Sequence, residues 1–527
     1  MLDFRGGSHS QQNMMRCLPG ARRTQHRPAS TQGSPSPHRN GHPDRARTSY
    51  SPAFSSSSER DDIESGEWEP LSIWNQHAPR VYISVVLCFP HDGHSLQYTL
   101  NYLKSRLEGL ARKRPLFAAQ LRLDPGSGVV HISQSPLNKI SFDHSVESEG
   151  GSYEEMKSRG FPPDLFLGEK TRPKFSLNKT PMPIPACTVH ATFVPGGLFL
   201  VSNLQHAVCD GETLKEFLEC FAAETRGDAL KGPWSQSFPS LVHQQTTSNV
   251  GFQELVARCP EYTTLPDKSG PTQPRFLEIG TPLQQIDKVG KIFMFNDERI
   301  KELQRLTCSE PSDNEVSSTY ACLAALAFTH IVKARMETEE FIGSTEQGRD
   351  DVSTLWNSVN WKYRALTDRA KDYLGNATFP TFATVPKTKL VEAMSDTAKL
   401  AEVIPVITDS IDAIDDDYVK RRLAMIAACP DPRLVGVNSD PRQSNYLAFN
   451  TWRHFGADAE WVIPGVPVAK PDAIRRGLPT WTLNTALILP AAASSKSQEL
   501  FVCLSRVAMD RLCADPTWLK WVDRVVG

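Results

Sequence analysis

The chain has 527 residues, a formal net charge of −2 and 39% hydrophobic residues. That length suits two domains with full cores, and the near-neutral balance points away from nucleic acid or an acidic membrane surface as partner. No apolar run reaches the roughly 18 residues a membrane span needs, no apolar leader opens the chain, and the 11 cysteines are scattered without a CxxC pair. The expectation is a cytoplasmic, reduced protein with no zinc site and no disulfide scaffold.

Residues 1–66 are rich in Ser, Pro, Arg, His and Gly and lack apolar periodicity, so they read as a disordered tail. Their Arg-rich, acid-poor make-up also suits a transit peptide, although no amphipathic helix is visible. Patterned sequence begins near Trp68. The stretch 81–89 (VYISVVLCF) reads as a strand and 96–111 (LQYTLNYLKSRLEGLA) as an amphipathic helix. Residues 117–123 and 129–133 flank a turn, Asp124-Pro125-Gly126-Ser127-Gly128, and read as a hairpin-like pair. Residues 186–193 (ACTVHATF) alternate as a strand, and Pro195-Gly196-Gly197 turns the chain into the next one. From about 232 to 285 the chain is polar and Pro-rich, as a crossover between domains would be.

In the second half, 291–295 reads as a strand, Asp297 as the cap of a helix ending at Leu306, and 320–336 (YACLAALAFTHIVKARM) as a helix apolar almost all round and therefore buried. Residues 356–363, 434–438, 446–450, 486–489 and 500–504 read as strands; 391–404, 416–429 and 508–514 read as helices. The expected fold class is therefore α/β or α+β with two domains: 67–245, a crossover over 246–285, and 286–527.

The centre of the pattern is 197–223. Leu198, Leu200, Ser202, Leu204 and His206 share one face of a period-2 segment, and Leu214, Phe217, Leu218 and Phe221 follow at helical spacing. Between them lies His206-Ala207-Val208-Cys209-Asp210-Gly211, an HxxxDG sequence. His206 thus falls where a strand ends and a helix begins, a place from which an imidazole can reach a cleft and take a proton near neutral pH. Asp210 stands where a triad partner could orient His206. Cys209 could be imagined as a nucleophile, but a small buried thiol is the plainer reading. No second ligand cluster supports a metal at His206, Cys209 and Asp210.

The segment PGGLFLVSNLQHAVCDG resembles the catalytic stretch of the BAHD acyltransferases, particularly their fungal branch. Other segments agree in order: Leu71-Ser72-Ile73-Trp74-Asn75-Gln76 with the family's LSPLDQ, Arg114-Pro115-Leu116-Phe117 with its fPll segment, and Val316-Ser317-Ser318-Thr319 with its VSTND. Val359-Asn360-Trp361-Lys362-Tyr363-Arg364 resembles VDxRxR, and Tyr373-Leu374-Gly375-Asn376-Ala377 resembles YFGNA. The DFGWG segment departs: Asp458 and Trp461 remain, but the Phe and both glycines are replaced.

The resemblance implies two chloramphenicol-acetyltransferase-like domains, each a mixed sheet flanked by helices, with the active site in a tunnel between them. It implies a monomer with no permanently bound cofactor. The co-substrate would be acyl-CoA, with acetyl-CoA expected, and the acceptor a small-molecule alcohol or amine. His206 would be the general base. Asp210 would pair with Arg364 to hold the loop, with Gly211 serving the turn. Asn450, Thr451 and Trp452 would supply oxyanion donors and a pocket wall, and Asp458 and Trp461 a structural motif. A condensation-domain-like N-acyltransferase and a non-catalytic relative are the alternatives; Gln205 stands where a condensation domain has a second histidine.

Overall fold

Two large β-sheets, each packed against helices, carry the chain in this computed structural model, which describes residues 67–165, 171–173, 175–178, 183–232, 250–268, 270–271, 273–276, 280–308, 317–336, 351–366 and 372–527. The expected tail at 1–66 and residues 246–249 of the expected crossover lie outside them. The first sheet has five strands in the order Ala473–Arg476, Tyr82–Pro90, Gly197–Gln205, Cys187–Val194, Ser141–Val146. The second has seven, in the order Thr378–Pro386, Val352–Asn360, Tyr446–Thr451, Thr485–Ile488, Gln498–Ser505, Lys288–Phe295, Arg524–Val526. A strand from late in the chain, Ala473–Arg476, thereby completes the sheet built by the first half, pairing antiparallel with Tyr82–Pro90.

The alternation read in 197–205 suggests one buried face, yet every residue of that strand is buried. It sits mid-sheet, and both faces are covered. Leu198, Leu200 and Leu204 join the core with Phe217 and Phe221, while Phe199 and Val201 pack with Val86, Cys88, Tyr153 and Phe161 on the other side. Ser202, Asn203 and Gln205 are buried as a result. Downstream, the helix Gly211–Arg226 is capped at its start by Asp210 and stopped by Gly227 in the left-handed region.

In the second half, the helix Thr319–Met336 is buried along nearly all its length, matching its all-round apolar sequence. The helix Asp297–Leu306 is capped one residue earlier than the sequence suggests: Asn296 Oδ1, not Asp297, accepts the Arg299 N–H at 2.8 Å. The crossover holds more regular structure than its polarity indicates, with the helix Phe252–Ala257 and the strand Tyr262–Thr264 paired to Val435–Val437. Residues 117 and 118, where a strand is read to begin, end the helical turn Pro115–Ala118. Among the described residues, no helix is long and apolar enough to cross a membrane.

Trp461 is the keystone between the late segment and the first core. Its ring lies 6.0 Å from that of Phe89 and 5.2 Å from that of Phe221, both edge-on. Trp461→Ala is expected to lower unfolding free energy by about 3–5 kcal/mol, the usual loss for truncating a buried tryptophan. Urea denaturation checks this; a loss under about 1 kcal/mol would mean the ring is not anchored in the core.

Candidate active site

The sequence leading to His206 ends its strand for a physical reason. The His206 N–H still reaches a strand partner, the Val81 carbonyl, at 2.7 Å. The chain then tightens into a single 3-10 turn, His206–Val208, before Asp210 opens the next helix. Ala207, Val208, Cys209 and Asp210 are all buried, whereas His206 keeps partial exposure. His206 is thus partly exposed while the rest of its loop is locked into the core. Gly211 does not serve a special backbone angle. A Cβ there would lie 2.3 Å from Phe455 Cζ, so its role is close approach to that ring.

Asn376 controls the imidazole. Its Nδ2 donates to the His206 carbonyl at 2.8 Å and to Asn75 Oδ1 at 2.9 Å. Both of those partners accept only, so the amide cannot be turned round, and its Oδ1 is the atom that faces His206 Nδ1 at 3.2 Å. Nδ1 must then carry the proton, which leaves the lone pair on Nε2. Asn75 Oδ1 also accepts the Asn376 N–H at 2.9 Å and lies 3.4 Å from the Tyr373 hydroxyl, which in turn meets Ser72 Oγ at 3.0 Å. Burial pushes the His206 pKa down, against the opposing pull of its backbone hydrogen bond, the Asp210 charge and the Asn376 bond.

The expected pair of Asp210 and Arg364 does not form. Asp210 Oδ1 accepts the Thr213 N–H and Oδ2 accepts the Ala377 N–H, each at 2.9 Å. Both carboxylate oxygens are thus committed to backbone amides, which also removes Asp210 as the orienter of His206. Arg364 instead donates to Asp412 Oδ1 at 2.8 Å, in an exposed pair. The cation whose field reaches Asp210 is Lys362, buried and donating to the Tyr373 carbonyl at 3.2 Å. The physical reason lies in the turn after the strand Val352–Asn360: positions two apart there face opposite ways, so Lys362 turns in and Arg364 out. Burial pushes the Asp210 carboxyl above its ordinary range, with the Thr213 and Ala377 amides, Lys362 and His206 pulling it back.

Asn450 and Thr451 end the strand Tyr446–Thr451 and are partly exposed. Asn450 Oδ1 accepts the Thr451 N–H at 2.7 Å and Thr451 Oγ1 accepts the Arg453 N–H at 3.2 Å, so the Asn450 Nδ2 and the Thr451 hydroxyl keep their donor hydrogens. Trp452 is buried and stacks on Phe455 at 6.3 Å, the ring that packs on Gly211. Asp458 and Trp461 lie elsewhere: Asp458 Oδ2 accepts the Ala493 N–H at 2.8 Å and Trp461 sits in the core. The Cys209 thiol donates to the Asp210 carbonyl at 3.2 Å, and burial pushes it well above its ordinary pKa. Among the described residues, no group of His, Cys, Asp and Glu is placed to hold a metal.

Asn75, Lys362 and Asn376 have no role in the sequence reading beyond their places in resembling segments. The signal available for them was those segments themselves, LSIWNQ, VNWKYR and YLGNA, which the fold brings together at one loop.

Fold and site define an acyltransferase of the two-domain type with a histidine loop. A sequence model of the transferase family matches residues 61–517, and the chain belongs to that family, the BAHD acyltransferases. It is 22% identical over 407 residues to O-acyltransferase pigD of Monascus ruber, covering 74% of this chain and 82% of that protein. It is 20% identical over 399 residues to eremophilane O-acetyltransferase ORF8 of Penicillium roqueforti, covering 70% and 82%. Among solved structures, it resembles Fusarium graminearum TRI101 complexed with coenzyme A and T-2 mycotoxin, with a TM-score of 0.66 at 18% identity over 88% of this chain and 100% of that one. Vinorine synthase follows with a TM-score of 0.57 at 17% identity, over 87% and 95%.

The separation of Asp210 from Arg364 has a measurable consequence. Arg364→Ala removes an exposed pair and should change stability by less than about 1 kcal/mol. Asp210→Ala strands two buried N–H groups, at roughly 1–3 kcal/mol each. In a double-mutant cycle by urea denaturation the two losses should add within about 0.5 kcal/mol; a larger coupling would restore the pair.

Proposed function

We propose that the protein transfers an acyl group, acetyl first among the options, from acyl-CoA to a hydroxyl of a small fungal secondary metabolite, with His206 as general base and no acyl-enzyme. The observation that carries this reading is the Asn376 network, which leaves Nε2 of the partly exposed His206 unprotonated. The O-acyltransferase names of the Monascus and Penicillium relatives support the reaction class, and the coenzyme A and T-2 mycotoxin named with TRI101 support the kind of substrate.

In this reading Nε2 takes the acceptor's proton as its oxygen attacks the thioester carbonyl. The resulting oxyanion is met by the spare donors of Asn450 and Thr451. Collapse expels the coenzyme A thiolate, which recovers the proton from the imidazolium. Cys209 stays a bystander, because its buried thiol is far from ionising at neutral pH. An amine acceptor would use the same base.

His206→Ala should lower kcat by about 10²–10⁴-fold while the protein stays folded; a folded variant that keeps full turnover would remove His206 as base. Since burial lowers the His206 pKa, the neutral base persists below the ordinary imidazole value of about 6.5. The acid limb of kcat/KM should therefore fall below about pH 6.5 rather than above it. For direct transfer, Cys209→Ala should keep most activity and initial-rate plots should intersect; parallel plots with a trapped acyl-enzyme would mean covalent catalysis.

A further inference from the structure

Arg476 is a buried cation without a counter-charge. Only 8% of it is exposed, and among the described residues no carboxylate pairs with it. Its Nη1 donates to the Thr480 carbonyl at 3.1 Å, and the guanidinium carbon lies over Trp481, 4.1 Å from the ring centroid, with Phe501 at 5.8 Å. Among the described residues the side of the fork formed by Nε and Nη2 has no acceptor, and Nε is wholly buried without one. That edge is the one that binds an oxyanion through two parallel hydrogen bonds. The neighbouring charge is another cation: Arg172, exposed, lies close enough to depress the Arg476 pKa, which burial already pushes down to about 9. Among the described residues no carboxylate lies between the two guanidinium groups, and a desolvated, unpaired cation of this kind costs stability until an anion completes it.

Its place in the fold connects it to the histidine loop. Arg476 pairs with Val85, and Val85 with Ser202, while the His206 N–H reaches the Val81 carbonyl. Four residues along the sheet and two strand spacings across it set the Arg476 and His206 backbones roughly 16 Å apart. Ser202 has the same parity as His206, and its hydroxyl is buried without a partner. A continuous aromatic wall spans the same interval: Phe455 packs on Gly211, Trp452 on Phe455 at 6.3 Å, and Trp481 on Trp452 at 6.1 Å, beneath Arg476. An extended pantetheine arm runs about 13 bonds from sulfur to the first phosphorus and spans about 15 Å at the rise of extended backbone.

We infer that Arg476, with Arg172 at its rim, is the subsite for a phosphate of acyl-CoA, placing the thioester at the His206 end of the aromatic wall. The inference rests on the acyl-CoA reading above and adds to it the residue that holds the anionic end. Isothermal titration of the full chain with coenzyme A, 3′-dephospho-coenzyme A and pantetheine tests it.

Arg476→Gln should weaken coenzyme A binding about 10- to 100-fold, the scale of a lost charge-assisted pair. Pantetheine, which has no phosphate, should bind the variant and the parent alike. The dephospho compound assigns the phosphate: an undiminished effect of the substitution points to the pyrophosphate, a vanished one to the 3′-phosphate. Arg172→Gln, on an exposed residue that folding does not need, should weaken coenzyme A binding by a smaller factor; this keeps the test alive if Arg476→Gln misfolds. Equal coenzyme A affinity in a folded Arg476→Gln variant, or equal losses for coenzyme A and pantetheine, would overturn the subsite while leaving the acyl-CoA reading intact. Parent protein that binds no coenzyme A at all would overturn that reading itself.

Discussion

A primary amide has one acceptor and two donors, and at Asn376 that asymmetry fixes the whole site. Both donors are taken by oxygens that can only accept, the His206 carbonyl and Asn75 Oδ1. The remaining oxygen has one direction left, toward His206 Nδ1. A single side chain thereby ties the opening segment at Ser72–Gln76, the loop after the central strand, and the segment at Tyr373–Ala377. These lie far apart in sequence, and the network is buried. A network of this kind rigidifies when every member is satisfied and becomes unfavourable when one is lost. The imidazole inherits its tautomer and its orientation from Asn376 and Asn75, one of them in the opening segment.

The division of labour between the amide and the carboxylate follows from charge. A carboxylate hydrogen-bonded to Nδ1 would stabilise the imidazolium and raise the basicity of the ring. Here the carboxylate of Asp210 is spent on the Thr213 and Ala377 amides, where it caps a helix and pins the facing segment. The ring is oriented by a neutral group and crowded by protein. It is consequently a weaker base, and burial favours its neutral form. The lowered basicity favours the form that can take a proton at neutral pH.

Much of this architecture is legible in the sequence because it rests on periodicity. The strand before His206, the helix after it and the all-round apolar helix at 319–336 are written in the spacing of their apolar residues. What periodicity cannot give is which face of a turn a side chain takes. The basic pair Lys362 and Arg364 illustrates this. Either could serve a buried carboxylate on sequence grounds, and only the turn after Asn360 decides that Lys362 goes in and Arg364 goes out. The short strands Ala473–Arg476 and Arg524–Val526 are missed for a related reason. Each is held by its partner strand rather than by its own composition, and Ala-Ile-Arg-Arg carries no strand signature until Tyr82–Pro90 supplies the ladder. Asn376 is missed because an orienting amide has no spacing rule at all. Its role is defined by Asn75, some 300 positions away.

In the altered DFGWG segment the replaced glycine positions can be checked against what glycine is needed for. Glycine is needed where a Cβ has no room or where the backbone turns left-handed. The residues standing at the two glycine positions, Glu460 and Val462, are exposed and meet neither condition. Both conditions are met at Gly465, where φ is +81° and a Cβ would come within 2.5 Å of His91 Nε2 and 2.8 Å of His94 Cβ. The Gly465 carbonyl accepts the Asp92 N–H at 2.8 Å, so the close approach joins this loop to the end of the strand Tyr82–Pro90. Asp458 and Trp461, the two residues retained, make side-chain contacts, one with the Ala493 amide and the other with Phe89 and Phe221. Of the replaced positions, Glu460 and Val462 face solvent, while Ala459 still packs against the first core. The same loop leads directly into Ala473–Arg476, so the register that brings Arg476 beside Val85 depends on contacts the altered segment still makes.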